Sequence, residues 1–280
     1  MPDHRMHETT AGLAGTDSPL SFAVSERDHA ALAMVREAIE NQNVLLAFQP
    51  VVQAARPDRI AFYEGLIRVL DHTGRVIPAR EFIGVVETTE TGRQIDCLAL
   101  QLGLAALAEN PGLRLSINMS ARSIGYPQWM ETLNRGLRCN PTIAERLILE
   151  ITESSAMMMP DIVQVFMAGL QHRNISFALD DFGAGYTAFR YLKEFYFDIL
   201  KIDGQFIRNI HKDTDNQVLA QALISIARHF EMFTVAEFVE TAEDAAFLVD
   251  IGIDCMQGYY FGAPTIRPYW ITSADDLKVG

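Results

Sequence analysis

The chain is 280 residues long, 49% hydrophobic and 21% charged, an ordinary globular balance with enough length for one large core or two small ones. A formal net charge of −13 excludes a nonspecific binder of DNA or RNA duplexes, which needs a basic face. Three scattered cysteines, Cys97, Cys139 and Cys255, with no CxxC pair, argue against a disulfide framework or zinc site and for a reducing, cytoplasmic compartment. No apolar run is long enough for a membrane span.

Residues 1–26 mix Thr, Gly, Ser, Pro, His and Asp without periodicity and read as a mobile tail. From Glu26 the spacing of Ala30, Leu32, Val35 and Ile39 predicts an amphipathic helix. Eight β-rich runs follow, at 45–52, 61–70, 113–119, 146–152, 176–180, 199–202, 233–237 and 255–261. Helix-period segments lie between most of them, at about 80–108, 123–137, 160–172, 187–195, 214–230 and 241–250. Runs such as Leu147-Ile148-Leu149 and Ile199-Leu200 are apolar on both faces, as in a parallel sheet wrapped by helices.

The expected fold is therefore α/β, a modified TIM (β/α)₈ barrel, for which roughly 250 residues suffice. The first two strands are joined by a short polar loop over 53–59, too short for a helical crossover, so an antiparallel strand is expected near the N-terminus. The expected boundaries are a tail over 1–26, a barrel over 27–270 and a second tail over 271–280.

In such a barrel the active site gathers at the carboxyl ends of the strands. Glu64 lies within the second run, Asn118 closes the third and Glu150 the fourth. Asp180 and Asp181 close the fifth, Lys201 and Asp203 the sixth, Glu237 and Glu240 the seventh, and Gln257 sits in the eighth. One acid at a strand end is usually solvated or salt-bridged. Acids at successive strand ends repel one another and lose solvation, a cost that bound cations offset. Carboxylates with an Asn carbonyl form an all-oxygen shell suited to Mg²⁺ or Mn²⁺. The adjacent pair Asp180-Asp181 suits two ions roughly 3.5–4 Å apart, the spacing used in phosphodiester hydrolysis; its plainer reading is a turn cap. Such cations would also invert the acidic field that otherwise repels a phosphate ester.

Lys201 has several readings: a phosphate ligand, an aid to the attacking water, a Schiff-base amine, or a structural partner for Asp203. Carboxylates around it would keep it protonated, which disfavours the Schiff base. Gly183 and Gly185 suggest a loop of unusual dihedrals.

These residues fall into motifs that resemble the EAL-domain family of cyclic di-GMP phosphodiesterases. The motifs are Phe48-Gln49-Pro50-Val51, Glu64-Gly65-Leu66 with Arg68, Asn118-Met119-Ser120, Leu149 to Glu153, Asp180-Asp181-Phe182-Gly183-Ala184-Gly185, Leu200-Lys201-Ile202-Asp203, Ala236-Glu237-Phe238-Val239-Glu240 and Gln257-Gly258-Tyr259, in order over about 40–265. The resemblance implies a TIM barrel and hydrolysis of cyclic di-GMP to linear pGpG with two Mg²⁺ or Mn²⁺ ions. It further implies that Glu64, Asn118, Glu150 and Asp180 hold one cation and that Asp181 reaches the second. Glu237 would be a ligand or general base, Lys201 would orient the water, Glu153 would tie down the loop after Asp181, and Gln257 would support the site. Gln49, Leu66 and Arg68 would contact the dinucleotide, and relatives of this kind often form homodimers. A catalytically silent receptor for the same dinucleotide is the competing reading, and an unrelated metal-dependent barrel lyase is a third. Two positions depart from the family pattern: Gly65 replaces its Ala, and Phe238 stands where Gly is usual.

Overall fold

The computed structural model describes residues 19–183 and 192–270. Helix α1 (Pro19–Glu40) leads into β1 (Val44–Gln53), β2 (Arg56–Leu70) and β3 (Val76–Pro78). Then come α2 (Ile83–Val86), α3 (Glu90–Glu109), β4 (Leu115–Asn118), α4 (Pro127–Cys139), β5 (Leu147–Thr152), α5 (Glu153–Met158) and α6 (Pro160–Gln171). The chain continues through β6 (Ser176–Phe182), β7 (Ile199–Ile202), α7 (Gly204–Ile207), α8 (Thr214–His229), β8 (Phe233–Ala236), α9 (Ala242–Asp250) and β9 (Cys255–Gln257). No helix among the described residues is long and apolar enough to cross a membrane.

The strands run in the order β1-β9-β8-β7-β6-β5-β4-β2-β3, and a β1–β2 pairing closes the ring into a barrel with β3 hanging from its edge. Strand β1 is antiparallel to both neighbours, β2 and β9, while β2 and β4 to β9 pair in parallel. The expected modified barrel with one inverted strand is what forms. A two-residue turn joins β1 to β2, which leaves no room for a crossover helix.

Several elements differ from the sequence reading. Helix α1 is already formed at Pro19, ahead of Glu26, where the sequence reading began it. Residues 1–18 and 271–280 lie outside the described residues. The helix expected over 80–108 is broken, because Thr89 turns its Oγ1 back to Val86 O at 2.7 Å and ends α2. The short strand β3, paired antiparallel with β2, carries too few residues to show a pattern. Helix α4 begins at Pro127, not at 123. Strand β9 ends at Gln257 rather than 261. There Gly258 lies so close to Val239 that a Cβ would stand 2.0 Å from its carbonyl oxygen. Of the helix expected over 187–195, residues 187–191 lie outside the described set and 192–194 form a short turn.

Strand side chains alternate between faces, and this builds the barrel interior in two layers. Val51, Phe62, Ile148, Ala178, Ile199 and Val235 form an apolar cluster of their own, separate from the main core between strands and helices. Two residues further along each parallel strand the side chain is polar: Glu64, Glu150, Asp180, Lys201 and Glu237. Ser116 leads to Asn118 and Cys255 to Gln257 in the same way. Because β1 runs backwards, its polar member comes two residues before Val51, at Gln49. The apolar layer closes the barrel floor, and the polar layer sits above it toward the strand ends.

Helix α3 supports the rim from outside. Buried Asp96 accepts hydrogen bonds from Ser120 N at 3.0 Å and Ser123 Oγ at 2.6 Å, holding the loop that follows Asn118. Burial, with Glu87 nearby, pushes the Asp96 carboxyl up to about 7. A carboxyl raised in the folded state stabilises fully below its unfolded value of about 3.9 and loses that contribution as pH rises through about 7. Asp96→Asn should therefore flatten this slope. Between pH 4.5 and pH 8 the variant should gain about 3 kcal/mol relative to the parent chain in urea unfolding, and parallel pH profiles would refute the assignment.

Candidate active site

Lys201 is fully buried on β7, and its Nζ lies 2.8 Å from Glu150 Oε2, 2.9 Å from Asp180 Oδ1, 2.9 Å from Glu237 Oε1 and 3.5 Å from Glu64 Oε2. Glu64, Glu150 and Asp180 lie in β2, β5 and β6, and Glu237 directly follows β8. Asp203, the simplest partner for Lys201 in the sequence, instead caps α7 by accepting from Gln205 N at 2.8 Å. Burial would lower the Lys201 ammonium, but Asp180, Glu150, Glu237 and Glu64 together hold it well above its ordinary value. A Schiff-base role, which needs the neutral amine, does not fit this environment.

The remaining members of the polar layer brace Glu64. Asn118 Nδ2 donates to Glu64 Oε1 at 2.9 Å and Gln257 Nε2 to Glu64 Oε2 at 2.6 Å. Gln257 also donates to Gln49 Oε1 at 3.1 Å, and Gln49 Nε2 donates to Gly262 O at 3.1 Å. Burial pushes Glu64 up, but Lys201 and the hydrogen bonds from Gln257 and Asn118 outweigh it and leave the carboxyl below its usual range. Glu150 lacks such support: burial lifts it to about 8 against the pull of Lys201. Burial likewise drives Glu237 well above its ordinary value, with Asp180 and Glu64 adding to the effect.

Asp180 and Asp181 meet the site together only because β6 is irregular. Adjacent residues of a regular strand point to opposite faces. Here the β6–β7 register shifts between Leu179 and Phe182, and Asp181 takes a left-handed φ of 54°, which aspartate tolerates better than most residues. One oxygen each from Asp180, partly exposed Asp181 and Glu237 can therefore lie within 4.8 Å of one another. Burial and Asp180 push Asp181 up to about 6. Glu153, first residue of α5, accepts from Gly183 N at 3.1 Å and so ties the end of β5 to the turn after Asp181. Ala184, Gly185 and Tyr186 of that turn lie outside the described residues.

These residues fit divalent cations. Among the described residues one ammonium faces four carboxylates, so negative charge is in surplus, and Glu150 Oε1 is buried with no hydrogen-bond partner. The available donors are oxygens, the preference of Mg²⁺ and Mn²⁺.

Further along β2, Leu66 and Arg68 follow Glu64 on the same face. Burial pulls the Arg68 guanidinium below its ordinary value, and neighbouring Arg80 adds to the effect. Nothing in the sequence singled out Arg80. It follows β3 in a turn of 3₁₀ helix, Ala79–Glu81, and the β2–β3 pairing brings it to Arg68.

The family model for the EAL domain matches residues 32–264. The chain belongs to the EAL-domain family. It is 32% identical over 234 residues to the cyclic di-GMP phosphodiesterase PdeF of Escherichia coli, a match covering 82% of this chain and 31% of that one. Curated relatives of this EAL domain are long: the chain spans about a third of the length of those it matches. The FimX EAL domain of Pseudomonas aeruginosa bound to c-di-GMP superposes with a TM-score of 0.77 at 26% identity, covering 84% of this chain and 96% of that one. A manganese/cy-diGMP complex of BlrP1 from Klebsiella pneumoniae gives 0.70 at 26% identity, covering 80% and 56%.

Two outcomes test the charge balance of this EAL domain. Lys201→Met leaves the acids without their counter-charge and should cost about 3–5 kcal/mol in urea unfolding. The loss should be larger at pH 8 than at pH 5, because raised carboxyls lose stability as pH climbs through their folded values. Mn²⁺ at about 100 times its Kd should raise the unfolding free energy by about 2.7 kcal/mol, and Asp180→Asn should abolish that gain. Equal melting temperatures with and without Mn²⁺ would argue against a cation site.

Proposed function

We propose that this EAL domain hydrolyses cyclic di-GMP to linear pGpG, using two Mg²⁺ or Mn²⁺ ions. The observation that carries the reading is the convergence of Glu64, Glu150, Asp180 and Glu237 on Lys201, with Asp181 alongside. The relatives named for cyclic di-GMP support the choice of substrate.

Glu64, Asn118, Glu150 and Asp180 would hold one cation and Asp181 the second, with Glu237 as a further ligand or as the base. Cations of this kind, when bound, lower the pKa of a water and withdraw charge from phosphoryl oxygens. The protein's own groups do the rest. Lys201 stays protonated, so it cannot serve as the base; it donates N–H bonds that orient the attacking water and steady its negative charge. Gln257 and Gln49 keep Glu64 from rotating away. Arg68 and Arg80 repel one another, and a phosphate between them would relieve the repulsion. Leu66 offers an apolar contact to the dinucleotide. Water adds across one phosphorus–oxygen bond, the 3′ oxygen departs with a proton, and one ring opening gives pGpG.

Cys97, Cys139 and Cys255 are unpaired, which suits a reducing cytoplasm, where this reading places the chain. A homodimer is part of the same reading, tested by light scattering.

The decisive experiment incubates the purified chain with cyclic di-GMP and Mg²⁺ or Mn²⁺ and follows pGpG by chromatography. Product should form with the cation and not in EDTA, and Glu150→Ala should slow it by at least ~100-fold. No product with either metal ends the hydrolase reading. Tight calorimetric binding without consumption would instead mark a receptor.

A further inference from the structure

Helix α7 begins three residues after Lys201, in the gap between the turn that follows Asp181 and the loop that carries Glu237. It touches both through a ring laid on a glycine. On one side the Phe206 ring lies against Gly183, where an added Cβ would come 2.4 Å from Cε2. Gln205 Nε2 reinforces that side by donating to Gly183 O at 2.9 Å. On the other side the Phe238 ring lies against Gly204, where a Cβ would come 2.4 Å from Cδ2. The Arg208 guanidinium stands 4.3 Å over the same ring, and Arg208 Nε lies 3.9 Å from Glu240 Oε1.

Phe238 holds a left-handed φ of 55°, where glycine is at ease and a bulky residue is an outlier that surrounding structure must sustain. The sustaining contacts are visible: a glycine that leaves room for the ring and a cation over its face. Phe238 follows Glu237 directly, and its loop is fastened to the barrel by Glu237 N donating to Ile202 O at 3.2 Å and Val239 N to Gln257 O at 2.9 Å.

We infer that Phe238 is a positioning residue, a clamp whose ring on Gly204 and under Arg208 locks the Glu237 loop to α7 and so holds the Glu237 carboxylate on Lys201. Its kinetic consequence rests on the hydrolase reading above; its structural consequence does not.

The test uses Phe238→Gly, Gly204→Ala, their double variant and Phe238→Tyr in the full chain. Two readouts are taken: amide hydrogen exchange at Glu237 and Val239 without metal, and kcat and KM for cyclic di-GMP with Mn²⁺. Phe238→Gly should speed exchange at those amides by at least ~10-fold and lower kcat by at least ~5-fold with KM within about twofold. Gly204→Ala should reproduce both effects by expelling the ring, yet add nothing once the ring is gone. Phe238→Tyr should keep the parent values. Should Phe238→Gly fail to fold, Gly204→Ala carries the test, because alanine favours the helix. Unchanged exchange, additive effects of the two single variants, or a rise in KM alone would overturn the clamp, the last by assigning the ring to a substrate contact. A parent chain that makes no pGpG defeats the hydrolase reading, and the exchange data then still judge the clamp.

Discussion

The structure depends on one buried ammonium. Lys201 has no exposed surface and lies within 3.5 Å of four carboxylates from four separate segments of the barrel. Each of these groups would be costly to bury alone. Together they are tolerable because every carboxylate shares the lysine, and Glu64 is further braced by Asn118 and Gln257. The balance is incomplete, since four acids outnumber one base. That imbalance points away from a purely structural salt bridge, which would be neutral with its lone pairs satisfied; among the described residues Glu150 Oε1 has no partner.

The ammonium can occupy that position because of the strand period. The apolar layer through Val51, Phe62, Ile148, Ala178, Ile199 and Val235 fills the barrel floor, and a step of two residues sets the polar layer directly above it. The reversed β1 obeys the same geometry in the opposite sense, so Gln49 precedes its floor residue and Gln257 on β9 follows its own. Their hydrogen bond joins the inverted strand to the last one, at the seam where the barrel closes. Only Asp181 breaks the period, and a shifted register with a left-handed residue is the local cost of that exception.

Much of this is legible in the sequence, for a physical reason. Strands buried on both faces must be apolar throughout, so Glu150 after Leu147-Ile148-Leu149 or Lys201 after Ile199-Leu200 stands out against its run. The rule fails where a strand is reversed: Gln49 lies in the middle of β1, and nothing at the end of that run marks it. It also fails where contacts are long-range and local patterns short. Strand β3 has three residues, too few for a periodicity, so Arg80 gave no signal. Phe238 was visible as a departure from the family's glycine. Its consequence depends on Gly204, thirty-four positions earlier, and no local pattern pairs the two.

The distribution of charge bears on how so acidic a chain could receive the phosphodiester of the proposed function. Net charge acts through the field outside the molecule, whereas the carboxylates of the polar layer are buried and partly neutralised by Lys201. Arg68 is different. It stands two alternations beyond Glu64 on the same strand face, only partly buried, with Arg80 beside it. Two like charges held together are unfavourable until something negative lies between them, which is why the proposed function sets a phosphate of the dinucleotide between Arg68 and Arg80.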